Sequence, residues 1–458
     1  MDQFEAMLNA FKDWLWGPPL LILLFGVGFY LTFVLKGLQF RYFFFGIKEL
    51  ISRPKGKAEG DISQFEALMT SLAGAIGTGS IVGVATAVAI GGLGSLFWMW
   101  VTAIICMATK YAESLLAVKF RKVDNRGEMI GGPMEYIERG LGWKWMAFVF
   151  AALGVVAALG TGNLVQVNSI VESVNIIFKI DPWVVGILVA CLTGMVILGG
   201  VKSIGHVSAF LVPLMALFYF VGGLVVILMH IQLIPSIFWQ IFVSAFEGQA
   251  AFGGFAGASA MMAIQMGVSR SIFSNEAGLG ISSIAAAAAQ TDHPGRQAMI
   301  TMTGASVSTL IVCTITGLVI AISGVLGMQD GNGKMLNGAA LALTAFSTKI
   351  VWGDYIVAIG LFLFAFSTVI AWAYYGEKCF EYLFGEKAVI PFRILFTLAV
   401  IPGSVLKMET VWAIADVANG LMVIPNLIAV VLLSSVVSKE TDGFLQIIKK
   451  ESERETHR

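Results

Sequence analysis

The sequence predicts an all-α polytopic membrane protein with one leading span and then two sets of five spans related as an inverted repeat. Three observations predict it. The 458 residues are 57% hydrophobic and only 13% charged, where a soluble domain carries about a quarter, and the mean hydropathy is +0.84. Apolar stretches of about 20 residues, the length that crosses a bilayer, recur along the chain. Two of those stretches are interrupted by dense glycine in corresponding places of the two halves, a pattern that points to a transporter site.

Spans are expected at 17–36, 66–90, 94–118, 146–175, 182–200, 207–230, 237–270, 299–326, 351–377, 389–406 and 410–438. The opening MDQFEAMLNAFKDW lacks the basic start and small-residue cleavage site of a signal peptide, so the first stretch is expected to stay as a span. Basic residues cluster after alternate spans: Lys36, Arg41, Lys48, Arg53, Lys55 and Lys57, then Lys119, Arg121, Lys122, Arg126, Arg139 and Lys144, then Lys202, Arg270 and Arg296, then Lys378, Lys387 and Arg393. The positive-inside rule puts these in the cytoplasm, with the N-terminus outside and the C-terminus inside. The units are then 1–60 (span and loop), 61–231 (first repeat), 232–438 (second repeat) and 439–458, a charged cytoplasmic tail expected as a surface helix or disordered.

Several function classes are excluded on composition. Net charge is zero, so charge offers nothing to a nucleic acid. Cys106, Cys191, Cys313 and Cys379 stand singly and form no CxxC pair, which argues against a zinc site. No paired carboxylates, HExxH, GxSxG or Walker element appears, so neither an enzyme nor a resident cofactor is expected.

The second span, ALMTSLAGAIGTGSIVGVATAVAI, carries Gly74, Gly77, Gly79 and Gly83, with Thr78 and Ser80 interleaved. Each interior glycine costs a helix about 1 kcal/mol against alanine. Tight helix packing through small residues is the competing reading, but the density favours a broken helix. Unwound backbone at membrane depth persists only inside protein or beside a wet cavity. Gly253, Gly254 and Gly257 in FEGQAAFGGFAGASAMMAIQ are the matching interruption in the seventh span, with Phe255 beside them. Amide N–H groups freed by such breaks suit a carboxylate, and freed carbonyls suit an ammonium or a metal cation. A pair of breaks therefore holds a zwitterion without ionised side chains.

Polar groups on two other spans complete the candidate site. GTGNLVQVNS places Asn163 and Gln166 on one face of the fourth span, as substrate contacts or as interhelical hydrogen bonds. AFSTVIAWAYYGEKC places Ser367 and Thr368 together, with Trp372 one turn on as a pocket wall. Two hydroxyls beside freed carbonyls make an oxygen cage for a hard monovalent cation, although Ser and Thr also bond their own i−4 carbonyls. Lys110, Glu113 and Glu276 fall near span ends, where snorkelling suffices. Glu247 is the embedded carboxylate that the alternative, a proton-coupled carrier, would need.

GTGSIVGVATAVAIGG, FWMWVTA with MATKYAE, GEMIGGPM, SNEAGLG with AAAAAQTDHPGRQA, and AFSTVIAWAYYGEKC together resemble the alanine or glycine:cation symporter family of prokaryotes, over nearly the whole chain. The resemblance implies a leucine-transporter-type core of ten spans behind one extra span, in the inner membrane. It implies sodium-coupled uptake of a small neutral amino acid, alanine or glycine, with sodium as a transported ion. On matching motifs, Gly77, Thr78, Gly79, Gln166, Thr368 and Trp372 would meet substrate, and Asn275 is set back because it looks cytoplasmic. By similarity to the wider fold, the Ala73 and Ile76 carbonyls with the Ser367 and Thr368 hydroxyls would hold sodium. This chain has Ser80 where some relatives have asparagine, which bears on substrate size.

Overall fold

The computed structural model describes residues 2–51, 59–247, 259–331, 333–406 and 408–456. Arg53, Lys55, Lys57, Gly253, Gly254, Phe255 and Gly257 lie outside these residues. After the helix Asp2–Leu15 come α1 (Pro18–Val34), α2 (Gln64–Ala75), α3 (Val82–Gly91), α4 (Gly94–Ile105), α5 (Met107–Lys119), α6 (Lys144–Leu159), α7 (Val165–Phe178), α8 (Pro182–Ile197) and α9 (Gly200–Met229). The second half contains α10 (Ile234–Glu247), α11 (Ala260–Asn275), α12 (Ser283–Ala287), α13 (Pro294–Ser308), α14 (Thr314–Ser323), α15 (Gly338–Ser347), α16 (Gly353–Phe384), α17 (Val389–Gly403), α18 (Met408–Leu432) and α19 (Ser434–Thr456). A hairpin of Lys122–Val123 with Met129–Ile130 is the one named sheet among the described residues.

Local sequence explains where the key helices start. Ser63 and Glu66 form a capping box at α2, with Glu66 N–H donating to Ser63 Oγ at 3.1 Å and Ser63 N–H to Glu66 Oε2 at 2.9 Å. Ser259 caps α11 by accepting from Met262 N–H at 3.2 Å. Asp181 followed by Pro182 starts α8 in the same way. Six continuous helical stretches and two bent pairs are long and apolar enough to cross a membrane. The pair α2 and α3 bends by 59°, and α4 and α5 by 41° at Cys106. α6 and α7 run together through a π-turn at Gly160–Leu164. The 32-residue α16 stands at the centre, packed on α2, α6, α7 and α9.

Several placements go beyond the expectations. The seventh stretch is described as two helices, α10 and α11, and the interruption expected between them falls outside the described residues. α10 has 14 residues, about 21 Å, which is too short to cross alone, and Glu247 at its end faces outward from the protein, not into its core. The FSNEAGLG segment, expected as a cytoplasmic helix or a re-entrant piece, is buried throughout, because its Gly, Ala and Ser residues let backbone approach backbone. Arg270 is not a loop charge but a buried partner of Asp416. A further helix, α15, follows the short loop after α14. The tail forms the helix α19, which buries Val437, Thr441 and Phe444, and Phe444 stacks on the His293 ring at 5.3 Å.

Candidate functional site

The first interruption lies between α2 and α3. Ile76 leaves the helix at φ −85°, ψ 70°, and Thr78–Ser80 form a single 3-10 turn. The first N–H groups of a helical turn have no partner within it. Thr78 N–H donates to Gln166 Oε1 at 3.2 Å, while Gln166 Nε2 donates to the Thr161 carbonyl at 2.9 Å. One amide side chain on α7 therefore joins the broken strand of α2 to the π-turn. Thr78 Oγ1 is buried and closes no hydrogen bond. Gly77 is pressed between neighbours: a Cβ there would lie 2.4 Å from Thr368 Oγ1 and 3.1 Å from Gln166 Oε1. Gly77, Thr78, Gln166 and Thr368 thus meet at one point.

On α16, Thr368 Oγ1 donates to the Ala73 carbonyl at 2.8 Å and lies 3.0 Å from the Phe364 carbonyl. Ser367 Oγ donates to Phe364 at 2.8 Å and lies 3.5 Å from the same Ala73 oxygen. Both back-bonding and cross-helix convergence occur, so the sodium set of Ala73, Ser367 and Thr368 is brought together. The Ile76 carbonyl, turned off the helical ladder, is three residues on. All donors are hard neutral oxygens, which favour a hard cation over a soft one. Trp372, one turn away, is buried against Gly162, where a Cβ would lie 2.2 Å from Trp372 Cβ. It is neither lipid-facing nor free to turn.

Asn163 goes elsewhere. Its Nδ2 donates to the Phe396 carbonyl of α17 at 2.7 Å, tying two helices instead of facing the break.

The interruption level with Gly77–Ser80 is Glu276–Ser282, between α11 and α12. Phe273 abuts Gly79, and Ser274 Oγ meets Ser80 Oγ at 3.1 Å. Glu276, Gly278 and Gly280 have positive φ of 57°, 90° and 74°, which glycine adopts at little cost. Here the carriers are charged. Lys110 Nζ donates to the Asn275 carbonyl at 2.9 Å and to Ser282 Oγ. Glu113 Oε1 accepts from Gly278 N–H at 2.9 Å and Asn426 Nδ2 at 2.6 Å. Lys110, Glu113 and Glu276 are all buried, not snorkelling. The GLG of FSNEAGLG and an ionisable pair inside a span were the available signals for this second break.

On the α3 side of the site, Arg270 makes a bidentate pair with Asp416 at 3.0 and 2.8 Å. Its guanidinium stands over Trp412 at 4.7 Å, and Trp412 lies 4.9 Å from the Phe273 ring. These groups close that side with one buried ion pair over two aromatic rings.

Comparison with known proteins decides the family. The family model described as "Sodium:alanine symporter family" matches residues 1–458. The chain belongs to the sodium:alanine symporter family. It is similar to the sodium/alanine symporter AgcS of Methanococcus maripaludis, with 49% identity over 98% of this chain and 99% of the relative. It is also 49% identical to an uncharacterized transporter of Haemophilus influenzae, over 97% of each chain. The probable sodium/glutamine symporter GlnT of Bacillus subtilis is 36% identical over 94% of this chain and 89% of its own. Among solved structures, MhsT in complex with L-phenylalanine aligns with a TM-score of 0.60 at 15% identity, covering 84% of this chain and 93% of that one. A mutant manganese transporter of Eremococcus coleocola aligns with 0.52 at 14% identity, over 81% and 79%. This symporter therefore has the leucine-transporter-type fold, and its work is cation-coupled amino-acid symport across a membrane, not enzymatic catalysis.

Proposed function

We propose that this symporter carries a small neutral amino acid, alanine or glycine, into the cell together with sodium. It does so from the inner membrane, with its N-terminus outside and C-terminus in the cytoplasm, and residues 61–231 and 232–438 act as the two inverted repeats. The observation that carries the reading is the meeting of Gly77, Thr78, Gln166 and Thr368 beside the Ala73 carbonyl. The amides of Gly77, Thr78 and Gly79 receive the substrate carboxylate, with Gln166 shifting from Thr78 to the substrate. Trp372 and Phe273 bound the side-chain space. Sodium sits among Ala73, Ile76, Ser367 and Thr368. A relative named for alanine and one named for glutamine support a neutral substrate. The tight contacts of Trp372 on Gly162 and of Phe273 on Gly79 favour the smaller. Excluding a methylene or two from an apolar pocket is worth about 1–3 kcal/mol each.

The alternative driver is the proton, and one relative of Bacillus subtilis at 38% identity is named a putative sodium/proton-dependent alanine carrier protein. Glu247, exposed on α10, gives that reading no support. Radiolabelled alanine uptake into proteoliposomes with an inward sodium gradient tests the proposal. Uptake should collapse when potassium replaces sodium at equal pH, and uptake indifferent to that exchange would refute it.

A further inference from the structure

Among the described residues, one buried carboxylate beside the site is poorly partnered. Both oxygens of Glu276 are buried and close no hydrogen bond. The groups facing it are few on every side. From α5 comes Lys110, with Glu113 one turn behind. From α16 come Trp372 and the Tyr375 hydroxyl, and from its own loop comes Ser282. From α2 comes only backbone at Gly74, where a Cβ would lie 3.1 Å from Glu276 Oε1 and 2.9 Å from the Tyr375 hydroxyl. Glu66, the acid on α2, is spent on the Ser63 cap.

The charges do not balance with both acids ionised. One ammonium faces two carboxylates, and two of its three donors already serve Asn275 and Ser282. Glu113 receives two well-formed N–H donors, whereas the Trp372 and Ser282 donors near Glu276 close no well-formed bond to it. An ionised carboxylate buried without hydrogen bonds costs several kcal/mol. A sodium ion is a poor remedy, because the nearest side chains are an ammonium and an indole N–H, which repel or cannot ligate a cation. A proton is sufficient: it makes Glu276 a neutral acid and leaves Lys110 balanced by Glu113.

The seal over Glu276 is α2, whose Gly74 backbone covers its Oε1. Gly74 lies next to Ala73, and the Tyr375 hydroxyl holds α2 by donating to the Thr70 carbonyl at 3.1 Å. The transport reading puts sodium between Ala73 on α2 and Thr368 on α16, so inward release needs α2 to part from α16, and water then reaches Glu276. We propose that Glu276 is a proton-binding site, filled from the cytoplasm as α2 closes over it and emptied to the cytoplasm as α2 opens. On closing, a proton from cytoplasmic water forms an O–H bond to a Glu276 oxygen, and on opening it returns to water. Closing therefore takes up a proton, and high cytoplasmic pH opposes it.

The test is calorimetric binding of alanine with sodium to the purified full-length protein, in two buffers of different ionisation enthalpy. The wild type should take up close to one proton per alanine bound at about pH 6, falling as pH rises. Glu276→Gln should bind alanine with no proton uptake. Zero uptake by the wild type, or equal uptake by the variant, overturns the proposal. If Glu276→Gln does not assemble, the infrared difference spectrum of the wild type decides. Binding must add a carboxylic-acid C=O band, and its absence overturns the proposal. Binding that ignores sodium would instead refute the transport reading and leave the proton count standing.

Discussion

The interruption between α2 and α3 and the loop that ends α11 lie side by side, yet they are held by different chemistry. The break at Gly77–Ser80 is held by neutral groups: an amide from Gln166, a hydroxyl from Thr368 and the close fit of Gly77. The break at Glu276–Ser282 is held by Lys110, Glu113 and Asn426. Neutral hydrogen bonds are worth about 1 kcal/mol net and exchange readily for ligand contacts. Buried charge pairs are costly to open, about 3–5 kcal/mol when one partner is lost. The first break is therefore suited to take up and release ligands, and the second to serve as a fixed frame.

That contrast can be broken in several ways. The largest effect expected is from Lys110→Met, which strands the buried Glu113 carboxylate and should cost about 3–5 kcal/mol, seen as a large fall in thermal unfolding temperature. A wild-type unfolding temperature would mean that the second break is not held by charge. Gly77→Ala forces a methyl into the Thr368 hydroxyl, so transport should be lost while the protein still inserts and unfolds near the wild-type temperature. Its retained transport would remove the close contact from the account. Gln166→Ala should weaken alanine binding by about 10- to 100-fold, because the charge-assisted hydrogen bond that its amide makes to the substrate is lost, with little change in stability. Equal weakening of sodium binding in the absence of alanine would move Gln166 out of the substrate site. Ser80→Ala removes one hydroxyl contact to Ser274 and should change affinity by only a few-fold, about 1 kcal/mol or less.

Much of this was legible in the sequence, for reasons specific to each element. Hydropathy located most of the spans, and the dense glycines of the second span marked a real interruption. Ser367 and Thr368 were legible because adjacent hydroxyls in an apolar helix stand out. The interruption expected at Gly253, Gly254 and Gly257 lies outside the described residues, between α10, which ends at Glu247, and α11, which starts at Ala260. The charged loop after α11 was missed because its signal is not glycine count but the positive φ of Glu276, Gly278 and Gly280. Arg270, Lys110 and Glu276 were read as loop or end charges because their partners, Asp416 and Glu113 among them, are distant in sequence or unrecognisable without the fold. Asn163 shared a face with Gln166, yet α17 claimed its amide, and no local pattern announces such a partner.

The central claim is that Thr368 joins α16 to the freed carbonyls of α2 around sodium. It is tested most directly by the sodium dependence of alanine uptake in proteoliposomes of Thr368→Ala against the wild type. The account predicts that the sodium concentration for half-maximal uptake rises by about tenfold or more, equivalent to about 1.4 kcal/mol, while alanine affinity at saturating sodium changes little. An unaltered sodium dependence in that variant would contradict it.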